Sequence, residues 1–101
     1  MDVAFYNAVA FDQYIGAWDV SKVTSMYGTF YGAAAFDADI GAWDVSKVTN
    51  MGCMFAFATT LNQHLGAWDV DSVTDMASMF HDLDIECPSW AVDKDAGGTC
   101  A

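Results

Sequence analysis

IGAWDVSKVTSM, from Ile15 to Met26, returns as IGAWDVSKVTNM from Ile40 and as LGAWDVDSVTDM from Leu65. The three copies start 25 residues apart. Their tryptophans are Trp18, Trp43 and Trp68. A fixed period of this length is typical of stacked repeats, in which each unit covers the apolar face of its neighbour. The sequence therefore predicts one structural unit that is used repeatedly.

Each unit divides into two patterns. Residues 14–20, YIGAWDV, are rich in aliphatic and aromatic side chains, which is typical of a short strand. Apolar residues then recur at spacings of three and four, which is a helical pattern. These residues are Val23, Met26, Phe30 and Ala33. Because Ser21 or Thr24 could cap such a helix, we predict an α/β repeat with a short strand and a short helix in each unit.

The chain, residues 1–101, is short enough to form a single domain. We divide it into units 5–29, 30–54 and 55–79 and a degenerate C-terminal cap, 80–101. In the cap, Pro88 stands where the other units have glycine, and proline removes a backbone hydrogen-bond donor. Between stacked units, equivalent phenylalanine, tryptophan, methionine and valine side chains should form continuous ladders through the core.

The charge balance excludes two classes of partner. The chain has 14 acidic residues, three lysines or arginines and a formal net charge of −11. Nucleic acids and anionic membranes are bound by basic side chains, so neither is expected as a partner. No apolar run approaches the roughly 18 residues needed to cross a bilayer. The first residues lack the pattern of a signal peptide and join the repeat in mid-unit, so we expect a fragment or a mature form.

The three cysteines fall into two groups. Cys87 and Cys100 flank the non-repeating tail, where they either form a disulfide or remain free thiols. A disulfide closing a loop of about 15 residues would contribute on the order of 3 kcal/mol. Cys53 lies inside a repeat beside Met54, and we expect it to be a buried free thiol.

The words WDVSxVTxM at Trp18–Met26 and Trp43–Met51, with WDVDSVTDM at Trp68–Met76, resemble the BspA-like leucine-rich repeat family, in its subclass with 25-residue units. The resemblance covers roughly residues 5–83. It implies a short right-handed leucine-rich-repeat-like solenoid, no enzyme activity, and roles in adhesion and protein binding. It favours a secreted or cell-surface location.

Three aspartates, Asp19, Asp44 and Asp69, recur in the same place of the repeat and form an acidic column. Stacked carboxylates repel one another unless they are solvated, hydrogen-bonded or bridged by a cation. We favour capping of a turn by each carboxylate, with weak calcium binding as the alternative. The histidines lack the spacing of a zinc site, and the serines occupy repeated structural positions. We therefore predict no enzyme activity and no cofactor.

Positions that vary between units are the best candidates for binding, because a constant frame then presents a distinct surface. The interaction candidates are Tyr14, Tyr27, Tyr31, His64 and His81. Tyrosine combines a large apolar body with a polar tip and is frequent at interfaces. We predict a non-enzymatic protein-binding or scaffold module with an unidentified protein partner. The alternative is a small accessory subunit docked permanently in a larger complex, such as a membrane complex of an algal organelle.

Overall fold

Backbone hydrogen bonds join each unit to the next at equivalent positions. The computed structural model describes residues 2–63, 65–81 and 83. We call residues 2–25 layer 1, residues 27–50 layer 2 and residues 52–75 layer 3. The N–H groups of Val3, Gly28 and Cys53 donate to carbonyls 24 residues ahead at 2.9–3.0 Å. Layers 1 to 3 are therefore stacked in register, as the repeat predicts.

The predicted α/β solenoid with a strand and a helix in each unit is wrong. The described residues contain no helix, and their only β-structure is two isolated parallel bridges, Ser25 with Asn50 and Asn50 with Asp75. Almost every other described residue lies in a tight turn or in irregular backbone. The molecule is a compact globule with a radius of gyration of 11.9 Å.

Alternating hydrogen bonds explain why the segment with helical spacing is not a helix. Met26, Gly28, Phe30 and Gly32 donate their N–H groups to carbonyls 24 residues ahead at 2.8–3.0 Å. The residues between them, Thr29, Tyr31 and Ala33, donate to the carbonyl three residues earlier at 3.0–3.2 Å. A helix would direct every N–H group along its own axis. Consecutive turns therefore place the apolar residues at the same spacings of three and four that a helix would.

Positive φ angles recur at two fixed positions within the segment that has helical spacing. In layer 2 these are Gly28 at 61° and Gly32 at 69°, a conformation that glycine adopts without steric cost. Other layers hold larger residues there, among them Cys53 at 54° and Phe57 at 61°. A left-handed residue every four positions ends a right-handed helix before it can form.

Turns also replace the predicted strand and the predicted start of the helix. Trp18 donates its N–H group to the carbonyl of Ile15, and Val23 donates to that of Val20, both at 3.0 Å. The words IGAW and VSKV each close in this way, so the chain turns once within residues 14–20, where extended backbone was expected, and again at the predicted start of the helix. The same two turns recur in layers 2 and 3.

A column of parallel phenylalanine rings fills the core and confirms the predicted ladder. Phe5, Phe30, Phe55 and Phe80 stack with ring centroids 5.4, 5.6 and 5.8 Å apart and planes within 7° of parallel. Phe36 lies against Phe30 at 4.0 Å. Each such ring buries a large apolar surface, worth about 1.5–3 kcal/mol per side chain.

The tryptophans link neighbouring layers. Trp43 and Trp68 are buried, and their indole N–H groups donate to the carbonyls of Ile15 and Ile40 at 3.0 and 3.1 Å. Trp18 of layer 1 is 49% exposed. Most of the predicted cap, 80–101, lies outside the described residues.

Candidate functional site

The acidic column predicted from the repeat stabilises turns. The carboxylate of Asp19 accepts hydrogen bonds from the Ser21 N–H group at 3.0 Å and from its hydroxyl at 2.6 Å. Asp44 binds Ser46 in the same way at 3.1 and 2.6 Å. Asp69 accepts only the Asp71 N–H group among the bonds described, at 3.0 Å. Each carboxylate therefore caps its own turn.

These bonds favour the ionised carboxylate. The hydroxyl of Ser21, and then its backbone N–H group, lower the pKa of Asp19 below the ordinary aspartate value. Ser46 lowers the pKa of Asp44 through the same two donors, and Lys47 adds a smaller favourable charge. Both carboxylates are fully exposed to solvent, so the effect on stability should be small.

The dependence of stability on pH should reveal the contribution of these two carboxylates. A carboxylate whose pKa is lower in the folded state stabilises the protein above its unfolded pKa and loses that contribution as the pH falls through the folded pKa. We expect the free energy of unfolding to decrease below about pH 4. The double variant Ser21→Ala/Ser46→Ala should show a shallower decrease when urea unfolding is measured from pH 6 to pH 2.

Ser72→Ala is the matched control, because this exposed serine makes none of the described bonds to the acidic column. It should keep the acid dependence of the parent protein. An equal slope in the parent and the double variant would show that the two carboxylates do not contribute in this way.

A second column of polar side chains ties layers together. The Asp12 carboxylate accepts the Asp37 N–H group at 3.0 Å, and the Asp37 carboxylate accepts the Asn62 N–H group at 2.9 Å. In the part of the chain that the structure describes, no group of three or more His, Cys, Asp or Glu side chains could hold a metal ion. The carboxylates of Asp12 and Asp37 are hydrogen-bonded to backbone N–H groups of the following layer.

A row of exposed and half-buried aromatic side chains crosses the layers. The aromatic stripe consists of Tyr6, Tyr31, Phe57 and His81. Tyr6 and Tyr31 stack at 4.7 Å with planes 5° apart. Phe57 then meets Tyr31 at 5.3 Å and His81 at 5.2 Å in edge-to-face contacts. Four rings, each in contact with the next, form a continuous row along the stack.

The left-handed backbone at Phe57 completes this row. The repeat places Tyr6, Tyr31 and His81 at equivalent positions, but layer 3 has the buried Ala56 there. Phe57 follows with a φ of 61° and is 36% exposed, and its ring bridges Tyr31 and His81. The conformation and the ring together fill the gap that Ala56 leaves.

The other predicted interaction residues lie outside the aromatic stripe or beside it. Tyr27 is 44% exposed, and the neighbouring Cys53 raises its pKa, first by charge repulsion and then by a hydrogen bond, with Tyr6 contributing less. Tyr14 is 73% exposed and covers Gly16. Cys53 is a free thiol, half-buried rather than buried as predicted. His64, Cys87 and Cys100 lie outside the described residues.

Two residues of the stripe were missed by sequence reasoning. Tyr6 shares the repeat position of Tyr31 and His81, so a comparison extended to the first unit would have found it. Phe57 stands one residue away from that position, and no signal in the period marks it.

Comparison with known proteins gives one match. The family model described as "Mycoplasma protein of unknown function, DUF285" matches residues 1–94. This match is compatible with the resemblance to BspA-like repeats. No curated protein and no solved structure matches. Within the described residues, no helix has the length and apolar character needed to cross a membrane.

Proposed function

Because the chain belongs to the DUF285 family, whose description names no function, we propose a function from its surface: a non-enzymatic module that binds another protein. The observation that carries this proposal is the aromatic stripe. Its rings lie on the outside of the stack, where they do not contribute to the phenylalanine column of the core. Such exposed apolar surfaces on soluble proteins mark sites of interaction.

The composition of the stripe suits a protein partner. Tyrosine and phenylalanine are enriched at the centres of interfaces because they bury much apolar area with few rotatable bonds. Contacts between neighbouring rings restrict Tyr6, Tyr31 and Phe57 before a partner arrives. Binding of a partner would therefore cost these side chains less conformational entropy than it would cost isolated rings.

The charge of the chain selects the kind of partner. A net charge of −11 on 101 residues attracts basic proteins and accelerates their encounter with the surface. Lysine or arginine side chains of the partner would also interact with tyrosine rings by cation–π contacts, worth about 0.5–1 kcal/mol at exposed sites. We propose a basic segment as the ligand, bound through the stripe and weakened by salt.

A peptide selection tests this function. The purified chain would select binders from a random peptide library displayed on phage, and each enriched peptide would be titrated against two variants. Tyr6→Ser/Phe57→Gly disrupts the stripe, and glycine accepts the positive φ of residue 57. Tyr14→Ser is the matched control, since Tyr14 is exposed outside the stripe.

We expect enriched peptides to be rich in lysine and arginine. The stripe variant should bind them about tenfold more weakly, as expected for loss of an interface anchor worth about 1.4 kcal/mol. Binding by Tyr14→Ser should match that of the parent. Peptides that bind all three proteins equally, or selection of acidic peptides, would refute the proposal. Circular dichroism and urea unfolding would establish that the variants are folded.

The repeat words support a finer assignment. We propose that the units belong to the BspA-like subclass with WDVSxVTxM words, which favours a surface-exposed or secreted recognition role. The alternative is a permanently docked subunit, for which exposed apolar side chains such as Val9, 62% exposed, would supply contact area. Size-exclusion chromatography of the isolated chain separates the two. A monodisperse monomer supports recognition, and insolubility without a partner supports the docked subunit.

A further inference from the structure

Each step along the aromatic stripe is close in length to one turn of an α-helix. The distances between neighbouring ring centroids are 4.7, 5.3 and 5.2 Å. A helix rises about 5.4 Å per turn, so a helix that lies along the stripe would bring one residue over each ring. Over all three steps, the ring spacing and the helical rise would differ by about 1 Å. The rings therefore match side chains at positions i, i+4, i+7 and i+11 of a helical ligand.

Other peptide conformations lose register with the rings. Side chains on one face of an extended strand are about 6.7 Å apart. Those on one edge of a polyproline II helix are about 9.3 Å apart. After three steps, an extended ligand would be displaced from the last ring by about 5 Å, which is as far as one ring lies from the next. Of these three conformations, the α-helix alone keeps register along the whole stripe.

The backbone at the stripe is already hydrogen-bonded within the molecule. The N–H groups of Tyr6 and Tyr31 donate to the carbonyls three residues earlier, at 3.1 and 3.0 Å. Those of Phe57 and His81 donate to the carbonyls of His81 and Ser78, at 3.0 and 3.2 Å. An extended peptide that adds to a protein as a strand needs free N–H groups for its own carbonyls. A helix satisfies its own backbone, so it can bind the stripe through side chains alone.

Charge complementarity favours a basic helix over a second copy of this chain. Carboxylates lie beside the stripe: that of Asp2 accepts the Tyr27 N–H group at 3.2 Å, and the Tyr27 phenol is within electrostatic reach of both Tyr6 and Asp75. The net charge of −11 on each chain would repel a second copy. The part of the chain that the structure describes also has no helix to offer.

We propose that the aromatic stripe binds an amphipathic basic helix of another protein, which lies along the stack. Apolar side chains at i, i+4, i+7 and i+11 of that helix cover the four rings. Lysine or arginine side chains beside them extend their aliphatic stems over the rings and bring their charges toward the carboxylates. This inference rests on the function proposed for the stripe, to which it adds the conformation and the direction of the ligand.

Two designed peptides of identical composition test the conformation. Both consist of leucine, lysine and alanine and have about 18 residues, because shorter isolated helices are marginal in water. One has its leucines at i, i+4, i+7 and i+11, and the other has them at i, i+2, i+4 and i+6, which is the alternation of a strand. Fluorescence anisotropy of each labelled peptide would be measured against the parent chain, Tyr6→Ser/Phe57→Gly and the control Tyr14→Ser.

We expect the helical peptide to bind the parent chain and Tyr14→Ser about tenfold more tightly than the alternating peptide does, because only its leucines reach all four rings. Tyr6→Ser/Phe57→Gly should bind the helical peptide about tenfold more weakly than the parent chain. The Cα chemical shifts of a ¹³C-labelled peptide should show that it is helical in the complex.

Single variants at the two ends of the stripe test the direction. A helix along the stack contacts both Tyr6 and His81, whereas a helix across the stack contacts one of them at most. Tyr6→Ser and His81→Ser should therefore each weaken binding of the helical peptide about threefold. A loss of affinity at one end alone would overturn the proposed direction. Urea unfolding would establish that each variant is folded.

The outcomes separate this inference from the function on which it rests. If the alternating peptide bound the stripe as tightly as the helical one, or if the bound peptide were not helical, the helix would be overturned as ligand and the stripe would remain a binding site. Binding that is unaffected by Tyr6→Ser/Phe57→Gly would also overturn the inference. So would the absence of binding by both peptides at millimolar concentration, and the phage selection would then decide the proposed function separately.

Discussion

Trp43→Ala is expected to destabilise the fold by about 3–5 kcal/mol, the range for truncation of a fully buried tryptophan. The indole of Trp43 is 4% exposed, lies 6.1 Å from the Phe30 ring and donates to the Ile15 carbonyl at 3.0 Å. Its removal leaves a cavity between layers 1 and 2 and an unsatisfied carbonyl. Urea unfolding followed by circular dichroism would measure the loss, and much of the population would be unfolded if the parent is of ordinary stability.

Trp18→Ala provides the matched comparison within the same word of the repeat. Trp18 has the same sequence neighbours but is 49% exposed and has no described acceptor for its indole N–H group. It should destabilise the chain by about 1–2 kcal/mol, in proportion to the apolar area that is still buried. Equal losses for Trp18→Ala and Trp43→Ala would contradict the layer order described above.

Gly16→Ala is expected to destabilise the protein by about 1–3 kcal/mol, as overpacking does. A Cβ atom on Gly16 would lie 2.6 Å from the backbone carbonyl oxygen of Asp39 in the next layer. That oxygen is part of the backbone and cannot rotate away as a side chain can. The added methyl group should therefore push layers 1 and 2 apart, which urea unfolding would detect as a lower midpoint. An unfolding midpoint for Gly16→Ala equal to that of the parent protein would contradict the close approach of the Asp39 carbonyl to Gly16.

The period of the sequence was sufficient to predict the register and the core. Because equivalent residues recur without insertion from Ile15 to Met76, only a stack in register can bury all copies of each phenylalanine and tryptophan. Turn capping by the aspartates also followed from the sequence, since an exposed carboxylate two residues before serine has few other partners. These conclusions depend on equivalence between units and not on the conformation within one unit.

The conformation within the unit could not be predicted in the same way. Val23, Met26 and Phe30 have the spacing of a helix, but a series of tight turns places side chains on one face at the same intervals. The distinguishing signal was the pair Gly28 and Gly32, whose positive φ angles end any helix. This signal is weak because the equivalent positions hold Val3 and Asn7 in layer 1 and Cys53 and Phe57 in layer 3.

The bonds between layers have a consequence for folding kinetics. Each backbone bond between layers joins residues 24 to 26 positions apart, whichever pair of layers is considered. The first pair to form must close a loop of this size, and every later layer closes a loop of equal size against a surface that already exists. Folding rates usually decrease when contacts become more distant along the sequence. Here a longer array would keep the same contact distance, so its nucleation step should be no slower than that of this chain.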